Sequence, residues 1–180
     1  MTVKAMSEYK VDLSKIREAI PTLKAGDKVL LSGSVYTARD AAHKKMAALI
    51  SKEEELPINI KDACIYFAGP TPTPEGRVTG SFGPTTSGRM DPYSPMLLDL
   101  GLAAMVGKGK RSKEVTEAIV RNKAIYFCAI GGAGALCSMH ITSLEEIAFP
   151  FLGCESIKKL TFENFPVYVG IDCEGNSIYD

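Results

Sequence analysis

GDKVLLSGSVYTARDAAHKKMAALISKEEE (26–55) carries the pattern from which the fold class is read. Val29-Leu30-Leu31, behind Gly26-Asp27, is a short apolar run bounded by turn residues, the mark of a strand. Ser32 to Tyr36 then reads as a loop, and Thr37 as the N-cap of a helix. Asp40 stands three residues on, where a capping box usually carries Glu or Gln. Beyond it Ala38, Ala41, Ala42, Met46, Leu49 and Ile50 recur at mostly helical spacing, and Ser51-Lys52-Glu53-Glu54-Glu55 before Pro57 closes the helix.

The same alternation continues downstream. Ala63–Ala68 is a continuous apolar run, expected as a buried strand, and the turn-rich Gly69–Gly76 that follows cannot prolong a sheet. Asp91-Pro92 reads as the N-cap and first residue of a short helix through Met96, Leu97, Leu98 and Leu100, ended by Gly101. Ala103–Val106 predicts a strand, Gly107–Arg111 a loop, Ser112 the cap of a helix to about Asn122, and Lys123–Ile130 another strand. A glycine-rich stretch leads to a helix or turn holding Leu136, Met139 and His140. Ile147–Phe149 and Val167–Ile171 give late strands, and Asp172–Asn176 a turn. The class is α/β, and element order alone points to a doubly wound parallel sheet. A chain of 180 residues supports one domain with its own core, assigned to 27–180, with 1–26 set apart as an arm packed on a partner.

Composition narrows the partners. Lys plus Arg equals Asp plus Glu at 21 each, so no net charge draws the chain to nucleic acid or an anionic membrane. With no apolar leader-like stretch after Met-Thr-Val-Lys-Ala and no run long enough to span a bilayer, the expected location is the cytoplasm. The five cysteines, Cys64, Cys128, Cys137, Cys154 and Cys173, are odd in number and widely spaced, which argues against a disulfide framework. They also lack the close ligand pairs of a metal site, so no metal ligand is assigned to this chain.

Two segments carry chemistry. SGSVYTARDAAH (32–43) and GPTTSGRMD (83–91) each set hydroxyls and small residues beside an arginine. A guanidinium meets a carboxylate with two parallel hydrogen bonds, so Arg39 and Arg89 together suit a substrate with two carboxylates. Either segment alone would read as a glycine-punctuated turn with a solvated arginine. Arg39 and His43, four apart, share one helix face. Lys108, between two glycines, sits where a backbone can approach a ligand closely. Lys110 and Arg111 read as solvated, and His140 as structural. The glycines at 131–134 lack dinucleotide-binding spacing, and GKGKRS is not a P-loop.

These segments, with FAGPTP (67–72), GSFGPTTSGRMD (80–91), GKGKRS (107–112), IGGAGAL (130–136) and FENFPVYVGID (162–172), resemble the β subunit of the class I (iron–sulfur) fumarase and L-tartrate dehydratase family. That subunit corresponds to the C-terminal domain of fused versions, and the resemblance runs from about Asp27 to the end. It implies a layered, swivelling β/β/α domain rather than the doubly wound sheet. It implies a hydro-lyase, fumarate hydratase foremost, interconverting fumarate and (S)-malate. The [4Fe–4S] cluster would be ligated by a partner α subunit in an α/β hetero-oligomer, and the isolated chain could associate with itself. Thr85 would exchange the carbon-bound proton, with Arg39, Arg89 and Lys108 binding substrate. From the residues themselves, Thr86 and Ser87 read as orienting or structural hydroxyls, Thr86 also as a substrate contact, and His43 as a support for Arg39, a donor to a substrate or partner group, or a packing residue. The alternatives are an L-tartrate dehydratase β subunit and a dicarboxylate-binding module without catalysis.

Overall fold

The run that begins at Val29 does not stop at Leu31. In the computed structural model, which describes residues 7–129 and 134–180, β1 (Glu8–Asp12) lies parallel to a ten-residue β2 (Lys28–Thr37). Ser32–Tyr36 is therefore strand, not loop. The glycine that reads as loop punctuation marks a bulge: pairing shifts register between Leu31 and Gly33, and Gly33 has φ +120°, a conformation open to glycine at little cost. Thr37 ends the strand instead of capping the helix, and its Oγ1 accepts the Lys158 N–H at 3.2 Å. Arg39 is the N-cap, and the helix covers Asp40–Ser51, with Asp40 inside its first turn rather than completing a capping box.

Residues 7–26 supply β1 and a helical turn, α1 (Ile16–Ala19), flanked by 3-10 turns. Leu13, Ile16, Ile20 and Leu23 are buried in the core. The helix Asp40–Ser51 is α2. Short parallel strands follow: β3 (Cys64–Tyr66), β4 (Ala104–Gly107) and β5 (Ile125–Ala129). The chain then reverses. β6 (Ile141–Ala148) and the fifteen-residue β7 (Ile157–Ile171) are antiparallel to each other, and β7 runs antiparallel to β5 and to β2. The sheet order is β1-β2-β3-β4-β5-β7-β6, and the β2–β7 pairing joins β2, β3, β4, β5 and β7 into a closed ring.

This mixed α/β sheet of seven strands departs from the doubly wound expectation because of β7. Only Val167–Ile171 is legible as strand. The upstream half, IKKLTFENFP, mixes lysines with a proline and places Asn164 at φ +49°, features that argue locally against a sheet. The β6 strand is likewise longer than the Ile147–Phe149 run, and Phe149 itself is left-handed at φ +54°.

Successive residues of the parallel strands face two cores. Cys64, Tyr66, Val106 and Phe127 join β2, β7 and the N-terminal turn on one side. Ile65, Phe67, Met105 and Tyr126 face the helices on the other, the two-residue alternation of a sheet buried on both faces. Those helices are α2, α3 (Ser94–Asp99) and α4 (Lys113–Asn122). In α4 the sequence reading holds: Ser112 is the N-cap, its Oγ accepting the Val115 N–H at 3.3 Å. In α3 it does not. Tyr93 is the N-cap, and Asp91 is engaged by Arg111 and the Ser112 N–H instead. A last helix, α5 (Gly134–Ser138), begins within the glycine-rich stretch, of which residues 130–133 lie outside the described ones. Among the described residues no helix is long and apolar enough to cross a membrane.

Candidate functional site

The four parallel strands β2, β3, β4 and β5 point the same way, and three of them deliver a site segment at their C-terminal ends. Arg39 follows β2 directly. Its carbonyl accepts the Ala-rich helix's first bonds, from His43 N–H at 2.9 Å and from His43 Nδ1 at 2.8 Å. A carbonyl can only accept, so Nδ1 carries the proton and Nε2 is left as a bare acceptor. That Nε2 is buried without a partner. Burial, above all, lowers the His43 pKa from 6.5 to about 4, with Arg111 adding to the effect and the Arg39 carbonyl and Asp40 opposing it. The imidazole is neutral near pH 7 and packs edge-on against Phe67 and beside Tyr93.

The Arg39 side chain runs past Gly69, where an added Cβ would lie 3.3 Å from Arg39 Cδ and 2.6 Å from the Cys154 carbonyl. Its Nε lies 3.8 Å from Glu155 Oε1, an ion-pair distance too long for a hydrogen bond, and that buried Nε has no hydrogen-bond partner. Glu155 belongs to the Pro150–Glu155 turn, which packs on α2. Lys158 holds this turn in place: its buried Nζ lies 2.7–3.4 Å from the carbonyls of Gly153, Cys154 and Ser156 and from Ser156 Oγ, four acceptors that share its three N–H groups. Desolvation lowers the lysine's pKa.

Thr85 and Thr86 reach the same edge from the next two strands. The Thr85 N–H donates to Phe67 O at 2.7 Å, just past β3, and Pro84 bridges to Ala68. Thr86 forms a parallel bridge with Lys108, just past β4. Thr85 and Lys108 are half-buried, and Thr86 and Arg89 exposed. Arg89 sits on the 3-10 turn Ser87–Met90, which packs against α2. The fold thus joins Thr85, Thr86 and Lys108 through backbone contacts and brings the Arg39 and Arg89 segments to the same edge of the sheet.

Arg111, read as solvated, is the largest departure at this edge. Its side chain is fully buried, with Nε donating to Asp91 Oδ1 at 2.7 Å and Nη2 to Ser94 Oγ at 2.7 Å. The guanidinium lies between the rings of Phe67 (5.2 Å) and Tyr126 (4.8 Å), a desolvated cation–π arrangement. Lys110 is exposed, as expected. Gly107 admits the neighbouring Ser87: a Cβ there would come within 1.9 Å of Ser87 Oγ. Ser87, inside GPTTSGRMD, and Gly107 and Arg111, inside GKGKRS, lie in segments the sequence singles out; Tyr126 and Glu155 carry no local sequence signal.

All five cysteines are free. Cys64, Cys128 and Cys137 are buried, Cys173 is half-buried and Cys154 exposed. Among the described residues no group of three or more His, Cys, Asp or Glu side chains is placed to hold a metal ion. His140, read as structural, has Nδ1 3.0 Å from the Glu163 carbonyl. A shallow groove of about 490 Å³ lies at the far end of α2 from Arg39, between Ile50, Glu53–Leu56, Ile58–Ile60 and Leu100.

A family model described as "Fumarase C-terminus" matches residues 1–180. The chain belongs to that family. It is 38% identical over 180 residues to "Fumarate hydratase 2" of Leishmania major, covering 99% of the chain and 32% of the relative. It is 41% identical over 176 residues to "Fumarate hydratase class I, anaerobic" of Escherichia coli K12, covering 94% and 32% respectively. It is 36% identical over 170 residues to "Putative L(+)-tartrate dehydratase subunit beta" of Methanocaldococcus jannaschii, covering 91% of the chain and 87% of that protein. The fumarase C-terminal chain therefore spans about a third of the length of the two fumarate hydratases.

Proposed function

We propose that this chain is the β subunit of an iron–sulfur hydro-lyase that reversibly hydrates fumarate to (S)-malate, acting in the cytoplasm with an α partner. The observation that carries the reading is the Thr86–Lys108 bridge. It sets the Lys108 backbone beside the Thr85–Arg89 segment, at the strand ends where Arg39 also emerges. Arg39 and Arg89 each offer a fork to one carboxylate of the diacid, and holding both ends fixes the reacting carbons between them.

Thr85 is proposed to move the proton at the carbon beside the one bearing the hydroxyl. A threonine alkoxide is costly in water and becomes accessible where cations face it and water is excluded. Lys108 and the two arginines supply that positive field. His43 stays neutral and holds the Arg39 backbone through Nδ1, so it takes no part as an acid. The [4Fe–4S] cluster of the family is assigned to the α partner, because the described residues of this chain make no ligand set for it. The swivelling β/β/α domain belongs to the same proposal, supported by the closed ring of strands with helices on one face.

The M. jannaschii relative, similar to this chain in extent, favours L-tartrate dehydratase as the second reading. A co-expressed α/β pair, assayed anaerobically on fumarate, malate and tartrate, separates the two. Preference for tartrate overturns the first, and Thr85→Ala that leaves turnover intact removes Thr85 from the proton transfer.

A further inference from the structure

Lys108 sits between Gly107 and Gly109, and Gly109 has φ +87°. Gly107 is the paired last residue of β4, so Lys108 leaves the strand into a loop freed by Gly109, and an ammonium carried there needs fastening from outside. Side-chain hydroxyls provide it. The Lys108 N–H donates to Ser87 Oγ at 2.9 Å, and the Lys108 carbonyl accepts the Ser87 N–H at 2.9 Å. One residue on, the Gly109 carbonyl accepts from Tyr126 Oη at 2.8 Å, and the Gly109 N–H donates to Tyr179 Oη at 3.2 Å. Ser87 Oγ and Tyr126 Oη are themselves 2.8 Å apart.

Counting protons orders this network. With Tyr126 giving its proton to the Gly109 carbonyl, Ser87 can give its own to Tyr126 Oη while its lone pair takes the Lys108 N–H; every donor is used once. Burial pushes the Tyr126 phenol well above its ordinary value, which keeps that proton in place. Two further features hold the pair. The missing Cβ of Gly107 makes the space for Ser87. The Tyr126 ring is stacked on Arg111, itself tied to Asp91.

We propose that Ser87 and Tyr126 are positioning residues: their hydroxyl pair sets the Lys108 loop against Thr85–Thr86, so that the ammonium and the Thr85 hydroxyl address one substrate. This rests on the reading of Lys108 and Thr85 as substrate groups. Both act through backbone, Ser87 on Lys108 and Tyr126 on Gly109 and on Ser87 itself. A displacement of about 1 Å at such a group can cost on the order of a hundredfold in rate.

Tyr126→Phe is the decisive variant, because it keeps the ring on Arg111 and removes only the hydroxyl. In the α/β assembly, well below the melting temperature, it is expected to lower kcat/KM about ten- to a hundredfold. In a Lys108→Met background the same substitution is expected to change kcat/KM less than about twofold, since the group it positions is gone. Losses that multiply in the double variant overturn the proposal. The fastening has its own readout in amide hydrogen exchange over residues 105–111 of the same assembly. Ser87→Ala should speed exchange at Lys108 about tenfold or more while Met105 and Val106 in β4 stay protected; unchanged exchange at Lys108 overturns it. A wild-type assembly inert on every dicarboxylate refutes the substrate reading, and the exchange result then decides alone whether Ser87 holds Lys108.

Discussion

Lowering the pH from about 7 to about 4.5 should cost this protein a calculable amount of stability through one buried imidazole. His43 is 1% exposed, its Nδ1 proton held by the Arg39 carbonyl and its Nε2 enclosed without a donor. Desolvation takes its pKa from 6.5 to about 4, because a second proton would place a charge beside Phe67 and within the field of Arg111. In the unfolded chain the same ring titrates at its ordinary value. The native value is the lower one, so the unfolded state binds the extra proton first. Stability therefore falls as pH drops from 6.5 toward 4, and above 6.5 the group adds no pH dependence. The gap between 6.5 and about 4 corresponds to roughly 3 kcal/mol, against the 5–15 kcal/mol typical of a folded domain, about a third of the middle of that range. The assay is urea denaturation of the wild type and His43→Leu across this range. Leucine lacks the Arg39 bond at every pH, and the carboxylates common to both proteins cancel in the difference. The wild type's advantage over the variant should shrink by roughly 3 kcal/mol, most of it by about pH 4.5. A difference constant to within about 0.5 kcal/mol, or a measured His43 pKa above about 6, would refute the reasoning.

Three other substitutions probe the same edge. Gly107→Ala drives a methyl to within 1.9 Å of Ser87 Oγ and 2.9 Å of Phe67 Cδ2; overpacking plus the lost Ser87 bonds should cost about 3 kcal/mol or more in chemical denaturation. Adding Ser87→Gly in the same chain should recover part of that loss, and no recovery would mean the clash lies elsewhere. Arg111→Lys keeps the charge but cannot span Asp91 and Ser94 while stacking between two rings, so a loss of about 2–4 kcal/mol is expected; a change under about 0.5 kcal/mol would show that the buried fork contributes little. Arg89→Lys should leave the melting temperature unchanged, since Arg89 is exposed, and lower kcat/KM about tenfold or more, because one ammonium cannot replace two parallel hydrogen bonds. An unchanged kcat/KM would make Arg89 peripheral to substrate.

What the sequence determined is what neighbours along the chain encode. Ser112 caps α4 because its hydroxyl needs only an amide three residues away, and the apolar runs at 63–68, 103–106 and within 123–130 announce the buried strands Cys64–Tyr66, Ala104–Gly107 and Ile125–Ala129, though Gly107 read as loop. The motifs at 32–43 and 83–91 and those after them were likewise enough to read a family resemblance from about Asp27 onward, and the family model matches residues 1–180. Tertiary structure decided the rest, wherever a residue's partner lies far away in sequence. Ile157–Pro166 is strand because β2, more than a hundred residues earlier, satisfies its backbone, and pairing of that kind overrides lysine and proline propensities. Asp91 gave up the cap of α3 for Arg111 and Ser112, twenty residues on. Arg111 is buried because carboxylate, hydroxyl and two aromatic faces converge on it from separate elements; a charge enters a core only where such partners have already been assembled by the fold.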